Sequence, residues 1–234
     1  MINRFMMKLL VLAILVLASI FLSNKYVPSQ HLFWKKINID APLGLATKTQ
    51  LFRLALSPSE SCMNLADNST RFISSSADPQ NNHDVCGWTV ARHVNGSEDT
   101  RLLGATTMQC PLSMGVHVWI KELSKIAKDE IGSELKLIHH FGSYSCRRQN
   151  GNNSGAWSEH AFANAWDISA FEFEDGRIIS ILKHWDGGTQ VEQRFLRRSR
   201  DTACKIFRVT LSPDYNIAHK DHFHIDMGPH KSCR

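Results

Sequence analysis

The sequence predicts an α+β domain, a mostly antiparallel sheet flanked by helices, set behind an apolar N-terminal segment. Three observations carry this. Two stretches repeat apolar residues at helical spacing, one after Cys110 and one over about 189–207. Short β-rich stretches surround them, and two of these flank Glu174-Asp175-Gly176 as the strands of a hairpin flank their turn. The 234 residues, 43% hydrophobic and 21% charged, can bury one substantial core and do not have the composition of a disordered chain.

At the N-terminus, Arg4 and Lys8 precede an uncharged, almost wholly apolar run over residues 9–22. A charged start followed by an apolar run is the architecture of an export signal. No Ala-x-Ala-like end follows the run, and no cysteine lies close enough for a lipoprotein signal. Residues 1–23 are therefore expected to be a signal anchor or signal peptide, with the uncleaved anchor favoured even though the run is shorter than the roughly 20 residues that cross a bilayer comfortably. Residues 24–55, which hold Pro28, Pro42 and Gly44, are expected to be a linker; the Leu32-Phe33-Trp34 triplet within it offers an alternative, docking on the domain or at the membrane interface. The domain itself is expected over 56–234.

Within the domain, residues 56–109 look loop-rich, with a surface loop at 74–82 and a strand at 87–94. The clearest helix follows Cys110-Pro111, with Val116, Trp119, Ile120, Leu123, Ile126 and Ala127 on one face and Lys121, Glu122, Lys125 and Lys128 on the other, ending near Gly132. A strand is expected at 134–141, then a long polar loop up to His160, the kind of segment that carries function. Strands at 166–173 and 177–185 form the hairpin. The helix at 189–207 has Val191, Phe195, Leu196, Ala203 and Phe207 as its apolar face, and residues 222–228 form the final strand.

The net charge of +5 suits many anionic partners, and no basic motif interleaved with aromatics argues for nucleic acid. Cys62, Cys86, Cys110, Cys146, Cys204 and Cys233 all lie downstream of the apolar run and include no CxxC pair. Three disulfides in an oxidising compartment is the simplest account. Of the fifteen pairings that six cysteines permit, the nearest-neighbour set (62 with 86, 110 with 146, 204 with 233) is the expectation.

Two distant stretches concentrate metal-ligand chemistry. One offers His160 and Asp167; the other, "HKDHFHID", offers His219, Asp221, His222, His224 and Asp226. Two neutral imidazoles and a carboxylate make a three-ligand zinc site whose open fourth position admits water, an arrangement suited to catalysis. Alternation along a strand places His222, His224 and Asp226 on one face and Phe223 and Ile225 on the other. His31, His83, His93, His117 and His184 stand alone and are expected to be surface or hydrogen-bonded residues.

The spacing Ser158-x-His160-x-x-Ala163-x-Ala165-x-Asp167, together with His222-x-His224, resembles the signature of the zinc peptidase group that includes lysostaphin, the D-alanyl-D-alanine peptidases and Sonic hedgehog. "YSCRRQNG", "SEHAFANAWDIS", "LSPDYNIAHKDHFHIDMG" and the terminal "CR" resemble more sharply the bacterial extensin-like protein C-terminal family, over about 56–234. The resemblance implies zinc held by His160, Asp167 and His224, with Asp221 or His222 as general base and His219 as an additional active-site histidine. It implies that Arg147 stabilises a substrate carboxylate or oxyanion and that Ser158 lies in the substrate-binding motif; Asp226, in the same polar row as His224, is expected to orient a ligand. The signature usually has glycine where this chain has Ala163, which strains the backbone if that position needs positive φ. The implied function is an exported zinc hydrolase that cuts amide bonds in peptidoglycan peptides at D-amino-acid linkages. It would work in the bacterial periplasm, inner-membrane anchored or secreted. The alternative is a non-catalytic zinc-containing module that binds the cell wall.

Overall fold

The computed structural model describes residues 4–56, 60–82 and 85–234, so that residues 1–3 of the apolar segment and His83 lie outside the described residues. The first described element is helix α1 (Arg4–Tyr26), which has no buried residue and, at 23 residues, is longer than the apolar run alone and long enough to cross a bilayer. Helices α2 (Thr47–Leu56) and α3 (Glu60–Asp67) come next, followed by strands β1 (Phe72–Ala77), β2 (Gln80–Asn82), β3 (Cys86–Trp88), β4 (Ala91–Ser97) and β5 (Thr100–Gln109). Helix α4 (Cys110–Ile126) runs on into a π turn at Ala127–Ile131, where Gly132 takes φ 71° and ends it. The second half holds β6 (Leu135–Gly142), β7 (Ala165–Phe173), β8 (Ile178–Ser180), α5 (Ile181–His184), α6 (Gln190–Cys204), β9 (Val209–Leu211), β10 (Phe223–Asp226) and β11 (Ser232–Cys233).

Among the described residues nine strands form one sheet in the order β1-β4-β5-β6-β7-β10-β9-β11, with β8 also paired to β7; β2 and β3 form a separate ribbon. Only β5 with β6 and β9 with β11 run parallel, so the fold is α+β with a mostly antiparallel sheet. Helices α4 and α6 cover one face of it. Trp119 of α4 meets Trp166, Phe171 and Phe207 edge to face, and Phe195 of α6 meets Phe171 and Phe173 in the same way. Helix α6 starts in a capping box, Thr189 and Glu192 each bonding the other's backbone N–H. The arginines of "RFLRRSR" pair with Asp129, Glu130, Asp186, Asp201 and Asp214.

The expected surface loop at 74–82 is instead mostly strand. As the edge strand β1 takes its hydrogen bonds from β4 and leaves one face to solvent, and a serine run serves that outer face as well as an alternating pattern would. The strand expected over 177–185 stops at Ser180, whose hydroxyl accepts the Lys183 N–H and starts α5. Strands β9 and β11, of three and two residues, are too short to register as a sequence pattern.

The segment expected to be a linker packs against the domain. Leu32, Ile37, Ile39 and Leu51 are buried, the last three within the main core. Three side chains of α4 hold it: His117 bonds Asp40, Lys121 donates to the carbonyls of Ile39 and Ala41, and Glu122 accepts the Leu43 N–H. Partners about 80 residues away leave no local trace in sequence.

All six cysteines pair, in part differently from the nearest-neighbour expectation. Cys204–Cys233 is as expected, but the others are Cys62–Cys110 and Cys86–Cys146. Proximity in space rather than in sequence decides: α3 packs on α4, and β3 packs beside the turn that follows the 143–157 loop.

Candidate metal centre

Strand pairing builds the floor of the site. In the antiparallel β7–β10 register, His224 stands opposite Asp167, while Phe223 opposes Ile168 and Ile225 opposes Trp166. Because side chains alternate, the four apolar residues are fully buried and His224 and Asp167 share the other face.

His160 reaches the same place from a 3-10 turn, Glu159–Phe162, which Ser158 caps by accepting the His160 N–H at 3.3 Å. The turn ends at Ala163, which adopts φ 52° and is fully buried. That is the left-handed region, costing a non-glycine residue about 1–2 kcal/mol. The bend it makes lets the chain leave the His160 turn and enter β7 two residues before Asp167.

One ligand atom from each of His160, Asp167 and His224 lies within 4.8 Å of the others. His160 Nε2 is 3.2 Å from His224 Nδ1 and 3.2 Å from Asp167 Oδ2, and His224 Nδ1 is 2.9 Å from Asp167 Oδ1. Each histidine's other nitrogen donates away from the cluster: His160 Nδ1 to the Ser143 carbonyl at 3.2 Å, and His224 Nε2 to Asp226 Oδ2 at 3.0 Å. Asp226 is itself fixed, accepting the Gly228 N–H at 2.8 Å.

This arrangement fits a cation. With their outward nitrogens donating, neutral His160 and His224 both present lone pairs to the centre, beside a carboxylate. Lone pairs so placed repel unless positive charge lies between them. Burial alone would lower His224, but its hydrogen bonds to Asp167 and Asp226 outweigh this and push it up to about 9. Burial would likewise raise Asp167, yet its close contacts with the His160 and His224 rings hold its carboxyl well below the usual range.

Two more histidines line the site. His222 donates from Nδ1 to Asp221 Oδ1 at 2.8 Å and turns Nε2 toward Asp167 Oδ1, 3.7 Å away. His219 donates from Nδ1 to Asn216 Oδ1, and its ring lies 5.1 Å from that of His222 and 6.0 Å from that of His224. Burial first, then the nearby His222 and His224, depress His219 to about 4. Exposed Phe141 packs its ring on His222, and Tyr215 on His219, so the rim is aromatic at both ends.

Of the residues singled out in the sequence, His160, Asp167, His219, Asp221, His222, His224 and Asp226 converge here. Ser158 is buried and serves as a cap. Arg147 is exposed; its carbonyl accepts the Ser158 N–H, which places its backbone next to the His160 turn, and among the described residues no hydrogen bond or ion pair uses its guanidinium. Sequence reasoning missed Ser143, which acts through its backbone carbonyl and so carries no side-chain signal. It also missed Asp214, which ties the loop bearing His219 to α6 by accepting from Trp185, Arg197 and Arg200.

Residues 60–234 match the family model described as Extensin-like protein C-terminus. No curated protein and no solved structure matches the chain.

Proposed function

The chain belongs to the extensin-like protein C-terminal family, and from that premise and the site's geometry we propose that it is an exported zinc-dependent hydrolase that cleaves amide bonds in peptidoglycan peptides. The observation that carries this is the cluster of His160, Asp167 and His224, whose ligand atoms lie within 4.8 Å and whose two imidazoles both have their far nitrogens engaged as donors. In this reading those three residues hold zinc. When bound there, zinc supplies Lewis acidity and lowers the pKa of water to about 7.

The chain's own residues do the rest. His222 takes up a proton at Nε2, since its Nδ1–H is committed to Asp221, which orients the ring and stabilises the charge it gains. Asp226 keeps His224 in the tautomer that frees Nδ1. Arg147, exposed beside the His160 turn, takes a substrate carboxylate or oxyanion. The apolar α1 and the three disulfides support placement in a bacterial periplasm, inner-membrane anchored or secreted.

The test is to incubate the purified protein with intact sacculi, with and without a chelator, and follow soluble muropeptides. Release by wild type, abolished by chelation and by His160→Ala, supports the hydrolase. Stoichiometric zinc with no new product sinks it and leaves a zinc-containing module that binds the wall.

A further inference from the structure

We infer that the segment joining α1 to the domain is a membrane-docking platform whose partner is the anionic headgroup surface of a lipid bilayer. The inference rests on α1 remaining attached in the mature protein. Four observations carry it.

The first is exposure. Phe33 and Trp34 are 60% and 41% exposed, packed edge to face with centroids 4.9 Å apart. Large rings shown to water beside a long apolar helix are costly in solution and favoured at a membrane interface, where indole and phenyl rings concentrate.

The second is rigidity. The buried amide of Gln50 on α2 donates to three carbonyls of this segment, those of Ser29 and Leu32 at 2.9 Å and that of Lys35 at 3.2 Å. Arg53, one turn further along α2, donates to the Phe33 carbonyl at 2.7 Å. Leu32, next in the chain to Phe33, points into the protein. A segment pinned at four carbonyls yet presenting two aromatic rings outward is a built surface rather than a slack tether.

Level is the third. Trp34 Nε1 donates to Asn24 Oδ1 at 2.9 Å, on the last turn of α1. This bond holds the indole at the end of the apolar helix, the depth at which a spanning helix emerges from hydrocarbon. Tyr26, also exposed, ends the same turn.

The fourth is charge. Lys35 and Lys36 follow the two rings in the chain, Lys25 follows the Asn24 that Trp34 bonds, Arg53 holds the Phe33 carbonyl, and no acidic residue occurs between Lys25 and Lys36. Each basic residue near an anionic leaflet adds attraction that falls off within a Debye length of the surface. Aromatic wedge and basic collar together specify an anionic lipid surface, with the rings among the upper acyl chains and the cations at the headgroups.

The consequence is positional. The domain sits against the bilayer in one orientation instead of swinging on a leash, which fixes how far its metal centre stands from the membrane.

The experiment uses the full chain reconstituted in vesicles of phosphatidylethanolamine and phosphatidylglycerol whose acyl chains are brominated near the headgroup, and reads tryptophan quenching. Of the other five tryptophans Trp88, Trp119, Trp166 and Trp185 are buried and Trp157 is half-buried, so the signal of Trp34 is read as the quenching lost in its variant. Wild type is expected to show bromolipid quenching that falls by more than half in Trp34→Phe. Gln50→Ala, which frees the segment, is expected to reduce it part of the way. Equal quenching in wild type and Trp34→Phe overturns the proposal, as does a mature N-terminus that begins after α1. Muropeptide release, measured separately, bears on the hydrolase and not on this result.

Discussion

His222 donates from Nδ1 to Asp221 Oδ1 at 2.8 Å, and this one contact decides which nitrogen is left to accept a proton at the site. A carboxylate can only accept, so the ring must donate there and its lone pair is at Nε2. His222→Ala is expected to cut muropeptide release by about 10²–10⁴-fold while zinc content holds. Asp221→Asn, which keeps a polar partner but removes its charge, is expected to cost about tenfold or more by the same reasoning. An unimpaired His222→Ala protein would move the base elsewhere, with His219 next in line.

Asp226 touches the proposed ligand His224 and not the centre itself. Asp226→Asn is expected to weaken zinc binding by about 10–100-fold, read by competition with a chromogenic chelator. Asp167→Ala and His160→Ala should fail to hold one zinc per chain. Equal affinity in wild type and Asp226→Asn would mean that the hydrogen bond does not set the His224 tautomer.

The pH dependence of stability should be set in part by His117. It is fully buried on α4, with Nε2 on Asp40 Oδ1 at 2.8 Å and Nδ1 on Ser97 Oγ at 3.2 Å, and Lys121 and Arg71 are the nearby positive charges. Burial depresses it below 6.5, and the Asp40 contact does not fully offset this. Its folded-state pKa therefore lies below its unfolded one, so the unfolded chain binds the proton first as pH falls. The stabilisation is whole above about pH 6.5 and shrinks as pH drops below it. Burial alone would raise Asp40, but its hydrogen bonds with His117 and Ser69 outweigh this and hold it below 3.8, which adds a second loss at lower pH. Urea midpoints at pH 7.5 and pH 5 should differ more in wild type than in His117→Gln; identical slopes would remove His117 from the account.

Ala163 pays for its left-handed backbone, yet its methyl group packs with Ala77, Trp88 and Ala91. Glycine would relieve about 1–2 kcal/mol of strain. It would give back about 0.8 kcal/mol of burial and 0.5–1 kcal/mol of chain entropy. These nearly cancel, so Ala163→Gly is expected to change stability by less than about 1 kcal/mol. Ala163→Val, β-branched at the same φ in a packed position, should cost more than about 2 kcal/mol and lower zinc occupancy through His160. Denaturant midpoints and metal content decide both.

Much of the site was legible in the sequence because its residues follow strand periodicity. The alternation of His222, His224 and Asp226 against Phe223 and Ile225 needs only a strand to become a polar face and an apolar one. Helices α4 and α6 were legible for the same reason, at their own period. What escaped was settled by distant partners or by backbone atoms. Residues 24–55 look like a linker until His117, Lys121 and Glu122 take hold of them, β1 looks like a loop because an edge strand tolerates serine, and Ser143 contributes a carbonyl that any residue could supply. The disulfide partners of Cys62 and Cys86 follow from which elements stack, and composition is silent on that.

The opposition of His224 to Asp167 across β7 and β10 has a bearing on which changes in length this domain can absorb. One residue added or lost within either strand slips the register, sends His224 toward the core and brings Phe223 or Ile225 out to water. Core and site would fail together. The loop at 143–157 ends at a cross-link to β3 and at the cap before His160, so additional residues inside it leave both strands in step. Insertions and deletions should therefore collect in that loop and at the tip of the β7–β8 hairpin, and stay out of 165–168 and 223–226.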